Sequence, residues 1–189
     1  MIDPYVYPGT DVLRNKEDIR DAHELEAFER MATASRMETL PDSLPMTAEG
    51  YCEIHRYIFQ DVYDWAGKVR TVDIAKNDDP FCLALYIGQE LAKRFDAIRA
   101  ENDLRGLRAD EFAARAADHI SELNAIHPFR EGNGRVLRAF LVVLGRQAGH
   151  DVDVVQIAPR AWNDASRESF RTGDAAPLHG VIAGAISIP

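Results

Sequence analysis

The stretch from Ala109 to Leu144 restricts the fold more than any other part of this sequence. Phe112, Ala116, Ile120 and Leu123 fall on one stripe, and after a short interruption Val136, Ala139, Phe140, Val143 and Leu144 fall on another. Apolar residues recurring at i, i+3, i+4 and i+7 mark an amphipathic helix. The spacing predicts a helix over about Ala109–Ile126, a loop over 127–135, and a second helix after Gly134. The two apolar faces pack on each other as a hairpin, which puts the loop on rigid supports.

That loop concentrates chemistry. It reads His127, Pro128, Phe129, Arg130, Glu131, Gly132, Asn133, Gly134, Arg135, with Arg138 three residues on. An ionised Glu131 is acceptor-only and suits Mg²⁺, a hard ion that takes oxygen ligands and bridges phosphates. Gly132 and Gly134 allow close backbone approach and φ > 0, so the amides between them can form an anion-binding nest, and Asn133 adds two side-chain donors. The loop opens onto a helix N-terminus, whose unpaired N–H groups and partial positive charge attract phosphate. Arg135 and Arg138 lie on neighbouring first-turn positions and present two fork-shaped donor sets to one polyphosphate. His127, with an ordinary pKa of about 6.5, can be neutral at physiological pH and take a proton from a hydroxyl. Arg130 is expected to be solvated.

The segment resembles the Fic family signature: His, any residue, Phe, any, acidic, Gly, Asn, Gly, Arg, two of any, Arg. Every fixed position is met between His127 and Arg138. The resemblance implies a mainly all-α Fic fold, a helical bundle with a short β-hairpin flap beside the active site, covering residues 1–189 as one domain. It implies AMP transfer from ATP to a Ser, Thr or Tyr hydroxyl of a target protein. His127 would be the general base, Glu131 the Mg²⁺ ligand, Gly132, Asn133 and Gly134 the phosphate cradle, and Arg135 and Arg138 the clamps on the β and γ phosphates. Phe129 would point into the core and anchor the loop. A relative transferring phosphate or phosphocholine, or a non-catalytic nucleotide- or peptide-binding module, is the alternative. Against them, the kinase-like branch carries lysine at the position of Gly134, and the loop is undamaged.

Elsewhere the periodicity predicts an amphipathic helix over Lys16–Arg36 and another from a Thr47 cap to about Gln60, with Tyr51, Ile54, Ile58 and Phe59 buried. Helices are also expected over about Tyr86–Glu101, Pro159–Arg171 and Asp174–Ile186, and Asp3–Gly9 lies extended over the surface. Between Lys68 and Leu85, Val69 to Ile74 read as a strand, Asn77 to Pro80 as a turn, and Phe81 and Leu83 as a returning strand. Two strands are marginal alone in water, so this flap packs on the helices or waits for a partner. Under the resemblance, Val72, Asp73 and Ile74 form an edge that aligns the target by main-chain hydrogen bonds.

Composition limits the partners. With 22 basic and 31 acidic residues the formal charge is −9, which disfavours nonspecific nucleic-acid binding or docking to an anionic membrane. The first twenty residues are acidic and lack a signal-peptide core, and the apolar run Ala139–Leu144 is far too short to span a bilayer, so a cytoplasmic protein is expected. Cys52 and Cys82 have no metal or redox spacing and are expected as free thiols, while His23, His55, His119, His150 and His179 are scattered without metal-binding spacing.

Many Fic proteins carry an inhibitory helix with Ser or Thr, three of any residue, Glu, then Gly or Asn. Here Glu49, Glu101 and Glu131 precede Gly or Asn, but Pro45, Ala97 and His127 stand four residues before them. The expectation is a toxin whose inhibitory Glu comes from a separate small antitoxin. For stand-alone toxins of this family the resemblance points to bacterial type II topoisomerases as targets.

Overall fold

The computed structural model describes residues 3–76 and 79–187. Asp21 decides where the first helix starts, because its carboxylate accepts the N–H groups of His23 and Glu24 at 3.0 and 2.9 Å. Helix α1 therefore spans Ala22–Glu38 and begins later than Lys16. Ahead of it the Asn15 side chain bonds both the N–H and the carbonyl of Ile19 and Asp18 sits at φ 52°, a turn that no helix accommodates. Thr47 caps α2 (Ala48–Phe59) through the N–H of Gly50 at 3.1 Å.

The flap is smaller than its β-branched residues predict. Strands β1 (Ala75–Lys76) and β2 (Asp79–Pro80) pair antiparallel, with Ala75 opposite Pro80 and Lys76 opposite Asp79. Asp79 and Pro80 thus belong to a strand and not to the turn, while Asn77 and Asp78 lie outside the described residues. Val69–Ile74 is not strand: the Val72 carbonyl accepts from Arg70, and the Asp73 carboxylate accepts the N–H of Ala84 at the start of a 3-10 turn (Ala84–Tyr86). Those bonds take over the groups a ladder would use. Only Ile74 continues the pairing, its carbonyl accepting from Phe81 N–H at 3.2 Å.

Next come α3 (Ile87–Ala100), a 3-10 turn (Asn102–Leu104), α4 (Ala109–Ile126), α5 (Asn133–Ala148), α6 (Pro159–Thr172) and α7 (Ala176–Ala183). Helix α7 stops short of Ile186, which pairs with Val152 in an isolated bridge. Helix α4 is the central rod. It packs against α3, α5, α6 and α7, and Phe112, Ala116, Ile120 and Leu123 are fully buried. Its alanines let neighbours approach closely, while α2 covers the far side of α5.

An aromatic cluster fills the space where α2, α5 and the 127–132 loop meet. Tyr51 contacts the rings of Phe95, Phe129 and Phe140 at 5.4–5.8 Å, and His55 lies between Phe59 and Phe129 at 4.7 and 4.0 Å. The N-terminal segment crosses the surface, pairs Val6 with Leu13, and binds Arg130 through Asp3 at 2.9 Å. Arg130 is therefore ion-paired and not simply solvated. Cys52 and Cys82 are free and half-buried. Among the described residues no helix is long and apolar enough to cross a membrane.

Candidate active site

His127 ends α4 with its backbone in the left-handed region (φ 48°, ψ 60°). Its Nδ1 lies 3.0 Å from the carbonyl of Asn124, which can only accept, so Nδ1 carries the hydrogen and Nε2 keeps the lone pair. Phe81 of the flap stacks on the imidazole with centroids 3.8 Å apart. Burial pushes the ring's pKa down to about 4, and the charges of Arg70 and Lys76 act in the same direction. At neutral pH the ring is uncharged with a free acceptor nitrogen.

The loop after it is built from inside. Phe129 is fully buried, and Asn133 closes a ring with it: Asn133 Oδ1 accepts the Phe129 N–H at 3.0 Å and Nδ2 donates to the Phe129 carbonyl at 2.8 Å. One of the two Asn133 side-chain N–H donors is thus spent on the loop. His55 supports the loop from below. Its Nδ1 accepts the Gly67 N–H at 2.8 Å, so Nε2 carries the hydrogen and donates to the Glu131 carbonyl at 3.1 Å. The scattered-histidine reading misses this role, because nothing in the local sequence links His55 to a residue 76 positions away.

The two glycines have different reasons to be glycine. Gly132 has φ 83°, and a Cβ there would meet Phe59 Cζ at 2.2 Å, so the fold itself demands it. Gly134 is helical and a Cβ there would meet nothing within 4 Å, so the chain itself gives no reason for glycine. Gly134 faces a cavity of about 330 Å³ lined also by His127, Glu131, Gly132, Asn133 and Phe81, with Trp162, Asn163, Ser166, Arg167 and Phe170 of α6 forming the opposite wall. The α6 wall was not legible in the sequence.

Glu131 Oε1 accepts its neighbour Gly132 N–H at 2.8 Å and its side chain remains nearly half exposed. Among the described residues no group of three or more His, Cys, Asp or Glu could enclose a metal. That donor set fits Mg²⁺, which is commonly held by one or two carboxylates together with phosphates and water.

Arg135 reaches back to the loop, its guanidinium 3.7 Å from the Glu131 carboxylate. Arg135 and Arg138 line a second groove with Glu26, Met37, Val155 and Ile157 between α1 and the segment before α6. Arg135 is engaged there by Glu29 at 2.5 Å and Thr33 at 3.3 Å, and its guanidinium lies over the Phe59 ring. Glu29 also accepts from the Tyr63 hydroxyl. Arg138 has no hydrogen bond or ion pair among the described residues, and burial, then the charge of Arg135, depresses its pKa. It is an uncompensated cation. Of the flap residues expected to meet a target, Val72 and Ile74 use their carbonyls inside the chain and the Asp73 side chain accepts the N–H of Ala84.

Residues 45–144 match the Fic/DOC family. The chain is 43% identical over 178 residues to the probable protein adenylyltransferase y4lH of Sinorhizobium fredii, covering 93% of this chain and 92% of that one. It is 39% identical over 171 residues to the protein adenylyltransferase VbhT of Bartonella schoenbuchensis, covering 89% of this chain and 36% of that longer protein. The fold superposes on the AMPPNP-bound BepC protein of Bartonella tribocorum with a TM-score of 0.89 at 28% identity, covering 98% and 97% of the two chains. With the loop geometry, the aligned segment and the superposed bundle in agreement, this chain belongs to the Fic/DOC family.

Proposed function

We propose that this protein is an adenylyltransferase that moves AMP from ATP to a Ser, Thr or Tyr hydroxyl of a target protein. The observation that carries the reading is the imidazole of His127, neutral and fixed in one tautomer, presenting Nε2 beside a cavity rimmed by the Gly132–Gly134 backbone at the N-terminus of α5. The target hydroxyl gives its proton to Nε2 while its oxygen attacks the α phosphorus of ATP. The bond from the α phosphorus to the bridging oxygen breaks, and pyrophosphate leaves. Backbone N–H groups at the start of α5 and the guanidiniums of Arg135 and Arg138 offset charge on the departing phosphates. Glu131 would hold Mg²⁺, which supplies charge neutralisation of the polyphosphate.

Regulation by a separate antitoxin is part of the same proposal. The groove at Arg138 is open, its cation is unpaired among the described residues, and exposed Val155 lies on its wall. A partner helix bearing one carboxylate fits that chemistry. Action in the cytoplasm on a bacterial type II topoisomerase is the first target hypothesis to test.

The experiment is incubation with α-labelled and with γ-labelled ATP in a bacterial lysate, using wild type and His127→Ala. Label retained only from the α position identifies AMP transfer, and its loss in His127→Ala supports the base. Label retained from the γ position, or equal labelling by His127→Ala, contradicts the reading.

A further inference from the structure

The left-handed backbone of His127 is unfavourable for a non-glycine residue, and the following Pro128 narrows the choices further. Such a conformation persists only where its surroundings over-determine it. One residue binds three successive carbonyls across this turn. Arg70 Nε–H donates to the His127 carbonyl at 2.9 Å, Nη2 donates to the Ile126 carbonyl at 3.3 Å, and the Arg70 backbone N–H donates to the Pro128 carbonyl at 2.8 Å.

The same guanidinium also holds both legs of the flap. Nη1 donates to the Val72 carbonyl at 2.7 Å on the ascending leg, and Nη2 donates to the Cys82 carbonyl on the returning leg, next to the Phe81 that stacks on His127. Arg70 is 1% exposed and makes no ion pair with a carboxylate among the described residues. A buried cation bound by carbonyls alone is an expensive way to stabilise a fold, since burying a charge is favourable only when its hydrogen bonds are complete. Its five donors in a rigid fork reach several carbonyls at once, which a lysine ammonium cannot do.

We propose that Arg70 is the positioning residue of this site: it locks the His127 backbone and both legs of the flap into one unit, so that the base and the hydroxyl presented along the flap meet in register. The inference rests on the reading of His127 as base. It assigns Arg70 no contact with nucleotide.

The test compares wild type, Arg70→Gln and Arg70→Lys in the full chain, scoring the rate at which each labels the lysate protein marked by wild type with α-labelled ATP, and the affinity of each for AMPPNP. Misplacing a reacting group by about 1 Å can cost roughly 100-fold in rate. Arg70→Gln should label about 100-fold more slowly with AMPPNP affinity within twofold of wild type, and Arg70→Lys should remain at least tenfold slow because charge alone does not reach the carbonyls. The Cys82 N–H bond to the Ala125 carbonyl and the Arg70 backbone bond survive in both variants. Should Arg70→Gln fail to fold by circular dichroism, the folded Arg70→Lys decides. Labelling within threefold of wild type, or a loss of AMPPNP binding that parallels the loss of rate, overturns the proposal. Wild-type labelling by His127→Ala would instead remove the base reading and leave the Arg70 contacts as fold alone.

Discussion

Alanine at Gly132 and alanine at Gly134 add the same methyl group two positions apart, and the structure assigns them opposite consequences. At Gly132 the new Cβ would stand 2.2 Å from Cζ and 2.4 Å from Cε2 of Phe59. That ring is fully buried, stacked on His55 and covered by the Arg135 guanidinium, so it has nowhere to turn. Forcing alanine into the left-handed region costs roughly 1–2 kcal/mol, and overpacking a core costs roughly 1–3 kcal/mol more. The expected loss is about 2–5 kcal/mol, a large part of the roughly 5–15 kcal/mol that holds a typical domain together. At Gly134 the backbone is already helical and the space is open, so alanine should gain roughly 0.5–1 kcal/mol. If phosphate closes on this backbone, the same methyl blocks it, and AMPPNP should bind at least tenfold more weakly, a penalty of about 1.4 kcal/mol or more. Urea denaturation and isothermal titration with AMPPNP and Mg²⁺ measure both quantities on each variant. Wild-type AMPPNP affinity in Gly134→Ala would refute the phosphate cradle, and wild-type stability in Gly132→Ala would refute the packing account.

Further outcomes follow from the buried charges. Because His127 is held down to about 4, kcat/KM should stay level as pH falls from 8 to about 5.5 and decline only below that; a midpoint near 6.5 in the pH profile would mean an exposed imidazole. His55 is pushed down by burial to about 3, so its neutral form stabilises the fold above its ordinary value of 6.5, and that contribution is lost as pH falls toward 3. Between pH 6.5 and 5 the wild type should lose about 2 kcal/mol through this group. His55→Phe, although less stable at pH 7, should close the gap by that amount at pH 5, and a gap independent of pH in urea titrations would contradict a buried neutral histidine. Arg138→Met should leave thermal stability unchanged or raise it, since it removes a half-buried cation without a partner among the described residues. The same change should weaken AMPPNP binding roughly 10- to 100-fold, the value of one charge-assisted contact; a variant that binds normally would remove Arg138 from the nucleotide site.

What the sequence determined by itself was local. Helical periodicity set α4 at Ala109–Ile126, and the Thr47 cap placed α2, because capping and i, i+4 spacing act within a turn or two of chain. The run from His127 to Arg138 placed base, acid, glycines and arginines within reach of one another by contiguity alone. Tertiary structure decided how those residues are held. The tautomer of His127 follows from the end of α4, while its backbone is fixed by Arg70, 57 positions away. Glu131 rests on His55, Arg130 on Asp3, and Arg135 on Glu29, at separations of 76, 127 and 106 residues. The flap shrank to two short strands because Arg70 and Asp73 claimed backbone groups that a β-propensity pattern assigns to a ladder. A sequence pattern reports which groups need partners, and only the packing of distant segments settles which partner each one gets.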